Sequence, residues 1–212
     1  MTHAAGNAEL ERWNTRFAAE GFVFGTQPNV FLAAQRPRLA PGMRALCVAD
    51  GEGRNSAWLA AQGLEVTAFD FSSVAVAKAR DLAAARGVKV DYRVADAGDW
   101  DWDAARYDVV AAIFVQFAQP ALRRKMFEGM MRALAPGGLL ILQGYRPEQL
   151  KYGTGGPKQV ENLYTEPLLR ESFAALELLH LASHDDRVDE GSGHSGMSAL
   201  IDLVARRPTE AG

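Results

Sequence analysis

Short apolar runs of strand length alternate with helix-length segments along this chain, and that alternation restricts the fold more than any other feature. Strands read at residues 44–49, 65–70, 89–95, 107–115 and 139–145, separated by segments with helical period. Such spacing predicts βαβ units on a parallel sheet. Ser72 suits the cap of a helix that runs through Ala77 and Leu82 and ends at Gly87. Pro120 suits a first helical turn, and Leu122, Met126, Phe127, Met130, Met131 and Leu134 form a core-facing stripe that Ala135-Pro136-Gly137-Gly138 stops. The last third breaks the pattern. Residues 173–181 and 197–205 read as strands, with a charged, glycine-containing loop at 185–196 and no crossover helix between them, so the pair must be antiparallel. The expectation is a Rossmann-like three-layer α/β sandwich: a seven-stranded, mostly parallel sheet closed by a C-terminal antiparallel hairpin. A single domain fits 212 residues, with residues 1–40 as a helical cap and 41–212 as the core. Ligands of such sheets bind outside the carboxyl ends of the strands.

The richest stretch lies where the first strand ends, at Ala49-Asp50-Gly51-Glu52-Gly53-Arg54-Asn55. Two alternate glycines let the backbone turn tightly and come close to a ligand, and the helix that follows offers unpaired N–H groups. Arg54 stands beside the positive end of that helix, an unfavourable place for a cation unless an anionic group lies next to it. The run half-matches the dinucleotide fingerprint, with Ser56 where the third glycine belongs. Asp70 ends the second strand, where a carboxylate accepts hydrogen bonds from both hydroxyls of a ribose, with Phe71 beside it; the same charge repels a ribose 2′-phosphate. Asp96, before Ala97, either accepts from an adenine amino group or caps the short segment after it. Trp100 and Trp102 either stack on a base or cover the sheet.

Taken in order, Ala49-Asp50-Gly51-Glu52-Gly53, Asp70, Asp96-Ala97, Tyr107-Asp108-Val109-Val110 and Leu134-Ala135-Pro136-Gly137-Gly138 resemble the motif series of class I S-adenosylmethionine-dependent methyltransferases. Trp13 with Arg16-Phe17, Phe24-Gly25-Thr26, Gly51-Glu52-Gly53-Arg54-Asn55 and Gly153-Thr154-Gly155-Gly156-Pro157 resemble the small tellurite-resistance methyltransferase-like group. The resemblance implies S-adenosylmethionine as cofactor, with Gly51 and Gly53 under its methionyl part, Asp70 on its ribose, Asp96 and Ala97 at its adenine, and Arg54 on its carboxylate. Cys47 and Ala49 stand where the family carries an acidic residue and a glycine, so Asp50 or Glu52 takes over the methionine ammonium.

Methyl transfer from a sulfonium is an in-line displacement in which the protein supplies position and electrostatics. A soft anion needs little help, whereas an alcohol or amine needs a proton acceptor within reach. Four segments are candidates for the acceptor side. Phe114, Gln116 and Phe117 follow the fourth strand, and Phe114 and Gln116 are grouped with the cofactor-binding residues. Tyr145 opens a structureless loop over 146–165, whose glycine run is either a lid or a mobile surface turn. His194, between glycines at 190–196, is either a base or a solvated loop histidine. The N-terminal helix with Arg16 either folds over the cofactor or patches a sheet edge. Arg16, Tyr145 and His194 are the catalytic candidates.

The expected partner is a small-molecule acceptor. A net charge of −3 disfavours nucleic acid, no apolar run has the length of a membrane span, and no metal-ligand spacing is evident. A single cysteine and no signal-peptide layout point to the cytoplasm, as a monomer or homodimer. The rival readings are a cofactor-binding module without catalysis and an NAD-dependent oxidoreductase.

Overall fold

The computed structural model describes residues 3–191 and 193–209. Seven strands form one sheet in the order β3-β2-β1-β4-β5-β7-β6. Strands β1 (Arg44–Val48), β2 (Glu65–Asp70), β3 (Val90–Val94), β4 (Tyr107–Ile113) and β5 (Leu134–Tyr145) are parallel, and β7 (His194–Arg206) runs antiparallel to both β5 and β6 (Glu177–Glu190). Successive side chains point to opposite faces and helices cover both, so the central strands are buried on both sides. Leu46, Val48, Val110, Ala112, Leu140 and Leu142 meet one core, which Met126, Phe127 and Met130 of α5 (Pro120–Ala133) and Leu169 of α7 (Glu166–Ser172) complete. Ala45, Cys47, Val109, Ala111 and Ile141 meet the other, closed by Ala57 and Leu59 of α3 (Arg54–Ala61) and by Val76, Ala79 and Leu82 of α4 (Ser73–Ala85). Ser72 caps α4 as expected, its hydroxyl accepting from Ala75 N. Before the sheet come α1 (His3–Phe17) and α2 (Val30–Ala34).

Four expectations need correction. The stretch 185–196 is not a loop: β6 and β7 remain paired as far as Glu190 and His194, so His194 begins a strand. Residues 173–176 are not strand, because Phe173 is the buried cap of α7. The segment 146–165 is not structureless; it contains α6 (Gln149–Tyr152) and a 3₁₀ turn at Val160–Asn162. Pro136 and its glycines lie inside the irregular start of β5, where the register shifts between Tyr107 and Val109. A side chain at Gly138 would sit 2.8 Å from Tyr107 O, so glycine lets the strands close there. The start of edge strand β6 was read from the sequence, but its continuation from Ala182 to Glu190 escaped the pattern because many of those residues are exposed and charged; pairing with β7, not periodicity, makes that part a strand.

Candidate functional site

At the carboxyl edge of the sheet the chain leaves β1 through a turn of left-handed backbone: Ala49 has φ 47°, Gly51 φ 60° and Gly53 φ 85°. Ala49 holds a conformation that an L side chain resists, the kind of strain that concentrates at functional sites. Gly53 is obligatory for a second reason: a Cβ there would lie 2.6 Å from Ala79 Cβ and 2.8 Å from Tyr92 Oη. Asp70 ties this turn to the end of β2, accepting from Gly51 N and from Ser72 N at 2.9 Å each. Burial pushes its carboxyl up to about 6, against the pull of those amides. Asp50 is pushed further, to about 7, by burial; the donated Ser56 hydroxyl lowers it and the Asp70 charge raises it. Ser56 Oγ also lies 2.9 Å from Tyr92 Oη, so one hydroxyl links both groups.

Other residues expected on the cofactor have partners within the chain. Glu52 is buried and faces the N-terminal segment: Oε2 accepts from Val23 N at 2.7 Å and Oε1 pairs with Lys78 at 2.6 Å. Instead of offering a free carboxylate to an ammonium, it pins the cap to the turn. Arg54 is buried and donates to Glu190 Oε2 at 2.6 Å, so the anion that its helix position calls for is supplied by the hairpin tip. Asp96 is exposed and takes Gly98 N at 2.6 Å, the turn-capping alternative, with Ala97 buried behind it. Phe71 is half-buried at the end of β2. Trp102 is core, packed where Gly129 leaves room, and Trp100 stacks on Phe69 at 4.2 Å.

Gln116 is a strut. Its Nε2 donates to Tyr145 O at 2.9 Å and to Asn162 O at 3.1 Å, while Oε1 accepts from Tyr145 N at 2.6 Å, which leaves it no polar group to offer a cofactor. The strained Phe114 (φ 57°) turns its ring onto Tyr145, with centroids 4.6 Å apart.

The three catalytic candidates do come together. His194 lies with its ring 4.5 Å from both Phe24 and Phe114 and 5.7 Å from Tyr145. Arg16 reaches in from α1, its guanidinium 5.0 Å over Phe24 and 5.1 Å over Trp13. Long-range docking builds this pocket. Gly193 N donates to Val23 O at 2.9 Å, and a Cβ at Gly191 would stand 2.5 Å from both Gly25 N and Val23 O, so the tip and the N-terminal segment touch backbone to backbone. The glycine run is docked as well: a Cβ at Gly156 would lie 2.7 Å from the Tyr145 ring, and Thr154 Oγ1 donates to Met197 O at 2.6 Å. Phe17 meanwhile covers the turn, 3.6 Å from where a Gly51 Cβ would be. Burial lowers the His194 imidazole and raises the Tyr145 phenol; burial also lowers the Arg16 guanidinium.

Glu190 is the residue that the sequence reading passed over. Burial alone would raise its carboxyl, but His194 and Arg54 bring it down to about 2. The available signal was an acid four positions before a histidine across a glycine turn. Beside it a cleft of about 150 Å³ opens between Phe24, Thr26, Gln27, Arg54, Asp189 and Glu190. Among the described residues, no cluster of three or more His, Cys, Asp or Glu side chains is placed to hold a metal, and no helix is long and apolar enough to cross a membrane.

Residues 45–138 match the family model described as a methyltransferase domain. The fold is shared with TehB from Haemophilus influenzae (17% identity, 83% of this chain and 61% of that one, TM-score 0.68). It is also shared with the N-methyltransferase NodS from Bradyrhizobium japonicum, solved with S-adenosyl-L-homocysteine (16%, 95% and 97%, TM-score 0.69). A third structure, described as converting a disulfide bond into a thioacetal group during echinomycin biosynthesis, aligns at 21% identity over 96% of this chain and 93% of that one, with TM-score 0.76. No curated protein matches the sequence.

Proposed function

We propose, from the match of residues 45–138 to a model described as a methyltransferase domain, that this protein moves a methyl group from S-adenosylmethionine to a small-molecule acceptor by in-line displacement. One observation carries the reading: the glycine turn with Asp70 and the aromatic pocket around His194 occupy the same edge of the sheet, under one N-terminal cap. In this reading Gly51 and Gly53 pass beneath the methionyl chain, Asp70 accepts from the ribose hydroxyls, and Phe71, Asp96 and Ala97 border the adenine. Asp50 takes the ammonium, and Arg54 shares its charge between Glu190 and the methionine carboxylate. The rings of Phe24, Phe114 and Tyr145 offer π-faces to the sulfonium, an attraction worth about 0.5–2 kcal/mol. The chemistry belongs to the sulfonium; the chain orients the two reactants and excludes water.

Thermal unfolding with S-adenosylmethionine, S-adenosylhomocysteine and NAD tests the donor. Ligand at 100 times Kd stabilises by about 2.7 kcal/mol, roughly 5–11 °C for a domain of this size. A shift with either sulfur nucleoside is expected. A shift with NAD alone would discard the methyltransferase reading.

A further inference from the structure

A methyl acceptor that is already an anion needs no base, and a carboxylate beside it would oppose its approach. One that carries N–H or O–H needs somewhere to put a proton. The acceptor pocket of this chain is furnished for the second case. Glu190 is held by partners from three elements: Arg54 Nη2 donates to Oε2 at 2.6 Å, Asn29 Nδ2 donates to Oε1 at 2.9 Å, and His194 Nδ1 stands 3.7 Å from Oε2. Asn29 is itself fixed, donating to Gln143 Oε1 at 2.6 Å and, through its backbone N–H, to Asn55 Oδ1 at 2.9 Å. His194 is only 9% exposed, and Nδ1 has no partner nearer than this carboxylate. Its Nε2 hydrogen-bonds no other described residue, and the ring sits among Phe24, Phe114 and Tyr145.

The charged and titratable groups around the imidazole are Glu190 from β6, Arg54 from α3, Arg16 from α1 and Tyr145 from β5. Burial keeps the ring neutral, and both arginines act in the same direction; Glu190 opposes them. The adjoining cleft has Arg54 and Glu190 cancelling each other and Asp189 left over, a lining that favours a neutral or cationic molecule over an oxyanion.

We propose that Glu190 and His194 form a carboxylate–imidazole pair serving an acceptor that carries a proton on its nucleophilic nitrogen or oxygen, and not a thiolate or a metalloid oxyanion. This rests on the donor reading above. The acceptor lone pair forms a bond to the methyl carbon as the carbon–sulfur bond breaks with its electrons passing to sulfur. The proton from nitrogen or oxygen goes to His194 Nε2 and then to solvent. Glu190 is a positioning residue: at 3.7 Å its charge faces Nδ1 from beyond hydrogen-bond length, favours the tautomer with Nδ1–H toward it, and stabilises the imidazolium that forms. His194 is the catalytic one.

The test compares the full chain with His194→Gln, Glu190→Gln and Glu190→Asp. Donor binding is measured by calorimetry, and methyl transfer is assayed with benzylamine, aniline, phenol, 2-mercaptoethanol, selenite and tellurite. The expected result is transfer to at least one of the first three. For that acceptor kcat/KM falls at least about 100-fold in His194→Gln and on the order of 10-fold in Glu190→Gln. Glu190→Asp recovers most of the loss, and donor affinity in His194→Gln stays within about threefold of wild type. The wild-type rate rises with pH through an inflection below the ordinary imidazole value, and Glu190→Gln moves that inflection lower, because an anion that favours the protonated ring has gone. Proton NMR of the His194 ring, identified by its loss in His194→Gln, reads the same displacement without turnover. Transfer confined to the thiol, selenite or tellurite, transfer to none of the six, or an unmoved ring titration overturns the proposal. Absence of donor binding in the wild type overturns the donor reading beneath it.

Discussion

The turn around Gly51 and the pocket around His194 lie side by side yet are built in different ways. Around Gly51 the contacts join neighbours in the chain or in the sheet: Asp70 reaches back 19 positions to Gly51 N and two forward to Ser72 N, and Ser56 reaches Asp50 six positions earlier. Around His194 the contacts span most of the chain, with Arg54 meeting Glu190 across 136 positions and Asn29 meeting it across 161. The first region is a motif held by backbone geometry, and the second is an assembly of side chains delivered by five elements, α1, α3, β5, β6 and β7. The family-model match at 45–138 takes in the glycine turn, Asp70, Arg54 and Phe114, and ends before Tyr145, Glu190 and His194.

Mutations that separate the two regions sharpen this comparison. Asp70→Ala should have the largest effect. Two charged hydrogen bonds to a ribose are worth roughly 1.5–3 kcal/mol each, so donor affinity by calorimetry should fall at least about 100-fold while circular dichroism stays native. Donor affinity within threefold of wild type breaks the assignment. Gly53→Ala forces a Cβ to within 2.6 Å of Ala79 and strains a left-handed residue, and should cost about 2–5 kcal/mol in denaturant unfolding. Gly191→Ala meets backbone at 2.5 Å in the other region, but a hairpin tip can shift. It should raise acceptor KM about tenfold, with donor affinity retained and a stability loss of about 1–3 kcal/mol. If it instead abolishes donor binding, the two regions are not separable.

The pH dependence offers a finer cut. Asp50, near 7 folded and near 4 unfolded, binds more protons in the native state between those values. It therefore lowers stability as pH rises from about 4 to about 7, and the loss is complete above that. Asp50→Asn removes the effect and should be more stable than wild type at pH 8, with the gap closing towards pH 4; melting temperatures across that range decide it. The smallest expected change is Ala49→Gly, which relieves φ 47° but loosens the unfolded chain. The two effects nearly cancel, giving a gain under about 1 kcal/mol.

How far the sequence could be read follows from the same contrast. The central parallel strands were legible because they alternate between two cores, as Leu46 and Val48 do against Ala45 and Cys47. The turn was legible because Gly51 and Gly53 take left-handed angles that glycine adopts without steric cost. Gln116 misled, since an amide after a strand end reads the same whether it faces a ligand or braces the backbone of Tyr145. Glu52 misled for a similar reason, its carboxylate taken by Val23 N and Lys78.

What the sequence determined by itself was the sheet, the glycine turn and Asp70 at its edge, because periodicity and backbone conformation are local properties. Only the tertiary structure decided that Glu190 stands between Arg54, Asn29 and His194, and that Arg16 and Tyr145 share a pocket with them. The physical reason is that a buried charge can be accommodated by any partner of the right sign within hydrogen-bond reach, and which partner that is depends on how distant segments fold together.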